Sequence, residues 1–343
     1  LVLNDPQIIP YSYRWLLIYM SIFPFCAILG YLTPYLIDNY SNGMPQNAGS
    51  AYAFNMIGSI FGPLIAGYIL LPYLGGKYTL LVLSIPLAVV AINAVRSLSR
   101  LSQSVAITLF VSLIAISFFY SRSYEVPASG DYIVRRDHTA TVVTSGSGRE
   151  RQLLVNGVLI TELNPLTKFM AHLPLGFHKG APSETLVICF GMGTTYRSLA
   201  SWDINVTAVE LAPSVLDAFE EYHSDARDQR SNAKGNMVVD DGRRYLERTD
   251  KKYDVITIDP PPPVESAGSS LLYSDEFYRL VKKRLKFNGI LQQWFPRVSG
   301  EILQAGERTI TKNFPYVLLY KGWGGYGWHY LASMSPIDTL RAD

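Results

Sequence analysis

The chain has 343 residues, a net charge of +2 and a pI near 8.4, values that give no indication of a nucleic-acid partner. Only six of the 58 charged residues precede position 122, and the other 52 lie in positions 122–343. This contrast predicts two parts that fold in different solvents. The two cysteines, Cys26 and Cys189, lack the spacing of a metal site or a disulfide framework, and we expect inert core thiols.

Residues 1–122 are predicted to form a transmembrane helical domain of about four spans. Each candidate span is close to the roughly 20 residues that a helix needs to cross a bilayer. The segments are apolar on all sides, whereas buried helices of soluble proteins normally show polar stripes at a 3.6-residue period. They comprise residues 15–37, 51–74, 78–95 and 104–120. Because the chain begins with Leu1 rather than methionine, we expect upstream residues.

Basic residues near the ends of these segments predict an orientation. Arg14, Lys77 and Arg122 would lie on one side of the bilayer, with Arg96 and Arg100 on the other. Positive charge is enriched in cytoplasmic loops, which favours the first side as cytoplasmic. We therefore expect a bacterial inner-membrane protein whose polar C-terminal half lies in the cytoplasm.

Residues 123–163 are predicted to form a small β-hairpin domain. Short alternating stretches within residues 131–161 are typical of strands joined by turns. The dipeptide Asn156-Gly157 is a strong signal for a two-residue hairpin turn. The sequence thus predicts a small antiparallel sheet ahead of the remaining chain.

Residues 164–343 alternate between strand and helix, which predicts a Rossmann-like domain of the class I methyltransferase type with a parallel sheet. The predicted strands cover residues 185–190, 205–211, 236–242, 253–259 and 289–295, and residues 213–223 are predicted to form one helix. Residues 324–333 read as a final hairpin with a glycine-rich turn. Ligands of such sheets bind at the carboxyl ends of the strands.

Three successive strand ends carry residues suited to an adenosine-type ligand. The first is followed by Gly191, Met192 and Gly193, whose backbone can approach a ligand. The second ends in Glu210, which can accept hydrogen bonds from both ribose hydroxyls, and the third in Asp240, Asp241 and Gly242. Helix capping or a solvated surface is the alternative role for each acid. The absence of a third glycine argues against NAD, and the absence of a Gly-Lys-Ser/Thr loop argues against ATP hydrolysis. S-adenosylmethionine or a relative fits best.

The fourth strand ends in Asp259, which four consecutive prolines follow. Proline cannot continue a helix or donate to a sheet ladder, so the chain leaves the strand as a stiff loop. A carboxylate in this position can accept a proton from an attacking amine and attract a cationic substrate. Asp259 is therefore the candidate catalytic residue, the alternative being a turn aspartate that caps the loop.

Residues 131 to about 333 resemble the polyamine aminopropyltransferases, or spermidine synthases, in their membrane-fused bacterial form. The resemblance depends on a set of motifs: "LVNGVLITEL", "MAHLPLGFH", "GMG", "VTAVELAPSV", "DGRRYLE" and "LLYSDEFY". It implies that Glu210 holds the ribose, that Asp241 holds the adenine and that Asp259 receives the proton of the amine.

The chain departs from the family pattern where the amines bind. Met192 stands where the resemblance implies an aspartate, and Leu166 and Thr167 replace a Tyr-Gln pair. Pro262 takes the place of the second acid of the catalytic loop, and Glu265 and Asp275 are candidates to substitute for it. Tyr273 is a further candidate for the substrate pocket, with Gln293 and Trp294 at its border.

We therefore predict a transferase that moves an alkyl group of the aminopropyl type to an amine and releases methylthioadenosine. Its co-substrate would be S-adenosylmethionine or the decarboxylated form, and its acceptor would not bind as in standard spermidine synthases. The alternatives are a cyclase or lyase that acts on S-adenosylmethionine without an acceptor, a methyltransferase, and a non-catalytic nucleoside-binding membrane sensor. The scattered histidines predict no metal site, and a homo-oligomer is compatible with the sequence.

Overall fold

The computed structural model describes residues 11–96, 99–120, 123–127, 130–261, 264 and 266–338. The chain divides into two compact units, Leu1–Tyr124 and Glu125–Asp343. The first unit is helical, with α1 (Tyr11–Ser41), α2 (Pro45–Ile65), a π-helical turn (Ala66–Leu70), α3 (Leu71–Val95) and α4 (Arg100–Phe119). Pro45 lies in the first turn of α2, where its missing N–H costs nothing. The Ser99 hydroxyl accepts a hydrogen bond from the backbone N–H of Ser102 and caps α4.

The helices of the first unit expose apolar side chains. No described residue of α2 or α4 is buried, and Phe23, Tyr73 and Leu101 are 72%, 81% and 77% exposed. Three helical segments are long and apolar enough to cross a membrane: Ile18–Ser41, Pro45–Asn93 and Arg100–Phe119. A surface of this composition is costly in water, since each large apolar side chain left exposed forgoes about 1.5–3 kcal/mol of burial.

The prediction of about four spans stays a prediction, since the second of the three helical segments is long enough for two of them. The predicted spans 51–74 and 78–95 both fall within Pro45–Asn93, which has 49 residues. A straight helix of that length would measure about 73 Å, more than twice the thickness of a hydrocarbon core of about 30 Å. Gly75 has non-helical backbone angles (φ 72°, ψ 173°) and breaks the helical path near the predicted boundary.

The second unit contains two sheets, of which the smaller is antiparallel. Its strands follow one another in chain order: β1 (Tyr132–Arg136), β2 (Thr141–Ser145), β3 (Gln152–Val155) and β4 (Val158–Glu162). Asn156 and Gly157 both have positive φ values, 51° and 79°, as a tight turn of the predicted kind requires. The antiparallel sheet and its hairpin are therefore confirmed, whereas a domain boundary at residue 163 stays a prediction.

The larger sheet has seven strands in the order β10-β11-β9-β8-β5-β6-β7. The strands are β5 (Glu184–Ile188), β6 (Asn205–Glu210), β7 (Gly235–Val239), β8 (Tyr253–Ile258), β9 (Leu285–Phe295), β10 (Tyr316–Lys321) and β11 (Trp328–Ser333). Strands β5 to β9 pair in parallel, but β11 pairs antiparallel with both β9 and β10. The prediction of a parallel sheet is corrected to a mixed one, because the predicted C-terminal hairpin reverses the chain within the sheet.

Short helices cover both faces of this sheet. They are α5 (Leu166–Phe177), α6 (Thr194–Ala200), α7 (Pro213–Asp217), α8 (Phe219–Tyr222), α9 (Ala226–Ser231), α10 (Gly242–Arg248), α11 (Ala267–Leu271), α12 (Asp275–Arg284) and α13 (Gly300–Asn313). The single helix predicted over residues 213–223 is divided into α7 and α8. Neighbouring residues of one strand enter different cores: Val187 packs in the core with Phe219, and Leu186 in the core with Phe277.

Candidate active site

A cleft opens at the carboxyl ends of β5 and β8, the edge of the sheet where ligands of this fold bind. Its cavity volume is about 10 Å³, and its lining includes Asp259 and the turn after β5. The lining residues are Thr161, Thr167, Phe190, Gly191, Met192, Thr194, Thr195 and Asp259. Threonine hydroxyls therefore contribute much of the wall opposite the predicted catalytic carboxylate.

The two glycines of the turn after β5 serve different purposes. Gly191 and Gly193 both have left-handed backbones, with φ values of 54° and 76°. A Cβ on Gly191 would meet no atom within 4 Å, whereas one on Gly193 would collide with the rings of Phe190 and Phe219. Gly191 thus leaves the backbone open to a ligand, and Gly193 allows close packing. Met192 lies between them, buried and in the cleft wall.

Glu210, at the end of β6, holds the backbone of this turn. One carboxylate oxygen accepts a hydrogen bond from the N–H of Phe190 at 2.8 Å, and the other accepts one from the N–H of Ala212 at 3.0 Å. Burial raises the pKa of Glu210, and these backbone N–H donors oppose the rise. The role of Glu210 in holding ribose stays a prediction.

The acidic pair after β7 separates into two environments. The Asp241 carboxylate accepts a hydrogen bond from the N–H of Arg244 at 2.9 Å and caps α10. Asp240 forms ion pairs with Arg244 and, at 4.0 Å, with Arg248. A Cβ on Gly242 would collide with Ile188, so packing explains this glycine. Of these three candidates, Asp241 is the one whose charge raises the pKa of the neighbouring Cys189 thiol.

Cys189 marks the point where the predicted acids converge. Burial, followed by the negative charges of Glu210, Asp259 and Asp241, raises the pKa of its thiol well above the usual range. Its backbone is left-handed (φ 69°), a conformation that strains a residue other than glycine. The expectation of two core thiols is corrected, because Cys189 is only partly buried beside the candidate site and Cys26 is exposed on α1.

Asp259 extends the ladder of β8, since its N–H donates to the carbonyl of Ile188 at 3.2 Å. Part of its side chain reaches the cleft, yet the surrounding protein excludes enough water that burial raises its pKa to about 7. In the following loop, the Pro261 carbonyl accepts a hydrogen bond from the Ser269 hydroxyl at 2.5 Å. The predicted substrate-binding residues Pro262 and Glu265 lie outside the described residues.

The remaining candidates fall on both sides of the sheet. Tyr273 is buried, and burial, followed by the charges of Asp259 and Cys189, raises the pKa of its hydroxyl. Asp275 does not join the cleft, because its carboxylate binds the Asn313 amide at 2.6 Å and pairs with Arg279 and Lys312. The amide of Gln293 donates to the carbonyl of Leu272 at 3.1 Å, and Trp294 donates to that of Tyr326 at 3.4 Å.

Several residues of this region carried no signal in the sequence. Thr161 and Thr195 come from β4 and α6, which are remote in the chain, and only the folded structure brings them to Asp259. The Thr195 hydroxyl donates to the Thr167 carbonyl at 2.9 Å and ties α6 to α5. Within the described part of the chain, no group of three or more His, Cys, Asp or Glu residues is placed to hold a metal ion.

A mixed seven-stranded sheet of this strand order, with helices on both faces, defines a Rossmann-like fold of the methyltransferase type. Residues 164–321 match the spermine/spermidine synthase domain. These residues therefore form a domain similar to those of the spermine/spermidine synthases. The family resemblance expected from the motifs is confirmed, and the fusion to a membrane domain stays a prediction.

Curated relatives agree with the family resemblance, and a solved structure agrees with the fold. Polyamine aminopropyltransferase 2 of Hyperthermus butylicus is 33% identical over 175 residues, which is 47% of this chain and 55% of that protein. The polyamine aminopropyltransferase of Sulfurisphaera tokodaii is 31% identical over 150 residues, 42% of this chain and 49% of that protein. The chain thus spans about half the length of these curated relatives. A spermidine synthase in complex with the transition-state analogue AdoDATO shares the fold, with a TM-score of 0.55 at 21% identity over 62% of this chain and 76% of that one.

Proposed function

We propose that this chain is a membrane-anchored transferase that moves an aminopropyl-type group from a sulfonium nucleoside to an amine and releases methylthioadenosine. The observation that carries the proposal is the position of Glu210, Asp241 and Asp259 at the carboxyl ends of β6, β7 and β8, along one edge of the parallel part of the sheet. Three carboxylates along one edge repel one another and attract a cation. A sulfonium donor supplies that positive charge.

Asp259 has the properties that proton transfer from an amine requires. An alkylamine is mostly protonated at pH 7 and has no free electron pair, so it must lose a proton before it attacks. A base works best when its pKa is near the operating pH, and the pKa of Asp259 is about 7. In the proposed step, Asp259 takes the proton, the nitrogen forms a bond to the carbon beside the sulfonium, and the C–S bond electrons leave on the sulfur of methylthioadenosine.

The nucleoside side of the site supports a donor of this type. Gly191 leaves the turn open, and we assign the ribose to Glu210 and the adenine to Asp241, as the family resemblance implies. The relatives are polyamine aminopropyltransferases, which favours the decarboxylated form of S-adenosylmethionine as donor. Met192 and Pro262 replace the acids that the family resemblance implies, so we expect the acceptor to bind differently from a standard diamine.

Membrane anchoring is the second part of the proposal. The exposed apolar side chains of the three helical segments support a lipid environment for the first unit. We expect the chain to remain in the membrane fraction after alkaline carbonate washing and to be released by detergent, with the second unit accessible from the cytoplasmic side. Release of the full chain by carbonate alone would contradict the anchoring.

A product assay tests the activity and separates the alternatives. The purified full chain in detergent is incubated with S-adenosylmethionine or its decarboxylated form, with and without amines, and the products are identified by mass. Methylthioadenosine that forms only with an amine supports the proposal. The same product without an amine indicates a cyclase or lyase, S-adenosylhomocysteine indicates methyl transfer, and binding without turnover indicates a sensor.

The Asp259→Asn variant tests the assigned base in the same assay. It should lose at least about 100-fold in turnover, the usual contribution of a positioned acid or base, and still bind methylthioadenosine. The matched control is Asp250→Asn, which removes a fully exposed carboxylate of the same unit. Full activity of the Asp259→Asn variant would refute the proton-acceptor role.

A further inference from the structure

Gln292 and His329 form a buried polar pair whose hydrogen-bonding capacity is only half used. Both side chains are almost completely buried, at 0% and 2% exposure. The Gln292 Nε2 atom lies 3.1 Å from His329 Nδ1. The Gln292 Oε1 and His329 Nε2 atoms find no hydrogen-bond partner among the described residues. Buried polar atoms are normally paired, so these two atoms indicate a place for a polar group from elsewhere.

The pair is uncharged and offers one donor and one acceptor. If the Gln292 amide donates to Nδ1, then Nε2 of His329 carries the hydrogen and Gln292 Oε1 is the free acceptor. If the amide is flipped, its oxygen accepts from Nδ1–H of His329. The amide nitrogen is then the free donor and Nε2 of His329 the free acceptor. Burial lowers the pKa of His329 to about 4, so the imidazole is neutral at pH 7. A hydroxyl group, which both donates and accepts, is complementary to this pair.

The sheet register places the pair on the same face as Asp259. Gln292 lies beside Thr257 on β8, two residues before Asp259, and His329 lies opposite Trp294 on β9. Side chains two residues apart on a strand share a face, and adjacent strands are about 4.8 Å apart. His329 is therefore about two strand spacings, or about 10 Å, from the position of Asp259 across the sheet.

Helix α5 covers this face from the cleft to the pair. Its Thr167 lines the cleft with Asp259, the carbonyl of Met170 accepts a hydrogen bond from the Thr257 hydroxyl at 3.0 Å, and the ring of Phe169 lies 6.5 Å from that of His329. The cleft and the pair thus lie under one helix. The cleft itself is lined by the Asp259 carboxylate together with threonine and apolar residues.

We infer that the acceptor is an amine with one positive charge whose chain ends in a neutral hydroxyl-type group. Its ammonium lies at Asp259, and its hydroxyl pairs with Gln292 and His329. The inference rests on the proposed transferase activity and names the class of its acceptor. A second ammonium, as in a diamine, would instead face a neutral imidazole and a neutral amide, which do not compensate for the loss of its hydration. The spacing fits amino alcohols of about four to six carbons.

A competition between matched amines tests the inference. For each chain length, the amino alcohol, the diamine and the simple alkylamine are compared as acceptors for the full chain in detergent. The expected result is a kcat/KM for the amino alcohol at least 10-fold above those of the other two. The Gln292→Met variant should bring the amino alcohol to the level of the alkylamine. The control is Gln304→Met, the same change at an exposed position of α13.

Calorimetric titration of the same amines into protein saturated with methylthioadenosine gives a readout independent of turnover. Stronger binding of the amino alcohol without turnover would support the inferred acceptor pocket while the transferase proposal fails. Turnover with a preference for the diamine, or equal use of amino alcohol and alkylamine, would overturn the inference while the transferase proposal holds. If the diamine is preferred, or if amino alcohol and alkylamine are used equally, Gln292 and His329 serve only to hold a core water. Absence of both turnover and binding would overturn both, and the wild-type ratios decide even if the Gln292→Met variant does not fold.

Discussion

The unusual proton affinity of Asp259 predicts that the Asp259→Asn substitution stabilises the protein. The pKa of Asp259 is about 7 in the folded protein, against an ordinary value of 3.8. At about 1.4 kcal/mol per pKa unit, ionising this buried carboxyl costs up to about 4 kcal/mol of folding free energy. Because part of the side chain reaches the cleft, water reduces this cost, and we expect a gain of about 2–3 kcal/mol for the neutral amide at pH 8.

The pH dependence has a definite sign. Between the unfolded and folded pKa values the folded protein holds the proton and the unfolded chain does not. Stability therefore falls as pH rises from about 4 to about 7 and becomes constant above it. The cost of ionisation is absent below the unfolded pKa and complete above the folded pKa. The stabilising effect of Asp259→Asn should accordingly be small at pH 5 and largest at pH 8.

Thermal unfolding followed by tryptophan fluorescence measures this effect on the full chain in detergent. Four of the five tryptophans, Trp202, Trp294, Trp323 and Trp328, belong to the second unit, so the signal reports mainly on its unfolding. Asp250→Asn, which alters a fully exposed carboxylate, serves as the control and should change stability by less than about 0.5 kcal/mol. An Asp259→Asn variant that is less stable than the wild type at pH 8, or equally affected at pH 5 and pH 8, would refute the reasoning.

Three further predictions concern the ligand. The pH profile of kcat/KM should have an acidic limb near pH 7, because the free protein must ionise Asp259; a limb near pH 4 would contradict this. Glu210→Gln should weaken methylthioadenosine binding about 10- to 100-fold, as measured by calorimetry, because the new NH₂ group would face backbone N–H donors. The control variant Glu220→Gln, at an exposed position, should leave this binding unchanged. Gly191→Ala should weaken ligand binding at a stability cost of about 1–2 kcal/mol. The Gly193→Ala variant should have a lower unfolding temperature than the Gly191→Ala variant, because its new methyl group would collide with Phe190 and Phe219. The reverse order would contradict the assignment of Gly193 to close packing and of Gly191 to ligand approach.

The sequence predicted those parts of the fold that local pattern determines. The hairpin at Asn156-Gly157 follows from residues that tolerate positive φ, and the strand ends at Glu210 and Asp259 follow from apolar runs that stop at an acid. The direction of β11 was missed, because alternation of strands and helices does not reveal how the last hairpin joins the sheet. The helical break at Gly75 lies between the predicted spans 51–74 and 78–95, where the apolar run is interrupted by two glycines and a lysine.

The part of the site that the sequence did not reveal depends on long-range contacts. Thr161 and Thr195 belong to no motif and meet Asp259 only through the packing of β4 and α6 around α5. Gln292 and His329 are 37 residues apart, and their pairing follows from the register of β9 and β11. Asp240 and Asp275 matched the expected chemistry by position, but nearby arginines and lysines engage their carboxylates.

The strand order of the larger sheet separates the two halves of the site along the chain. The groups assigned to the nucleoside come from β5, β6 and the residues after β7, whereas those assigned to the amine come from β8, β9 and β11. A ribosome therefore completes the donor-binding segment before it makes the acceptor-binding one. Genetic changes after residue 253 can alter acceptor preference while the donor-binding segment keeps its sequence, which gives this fold a simple route to new amine substrates.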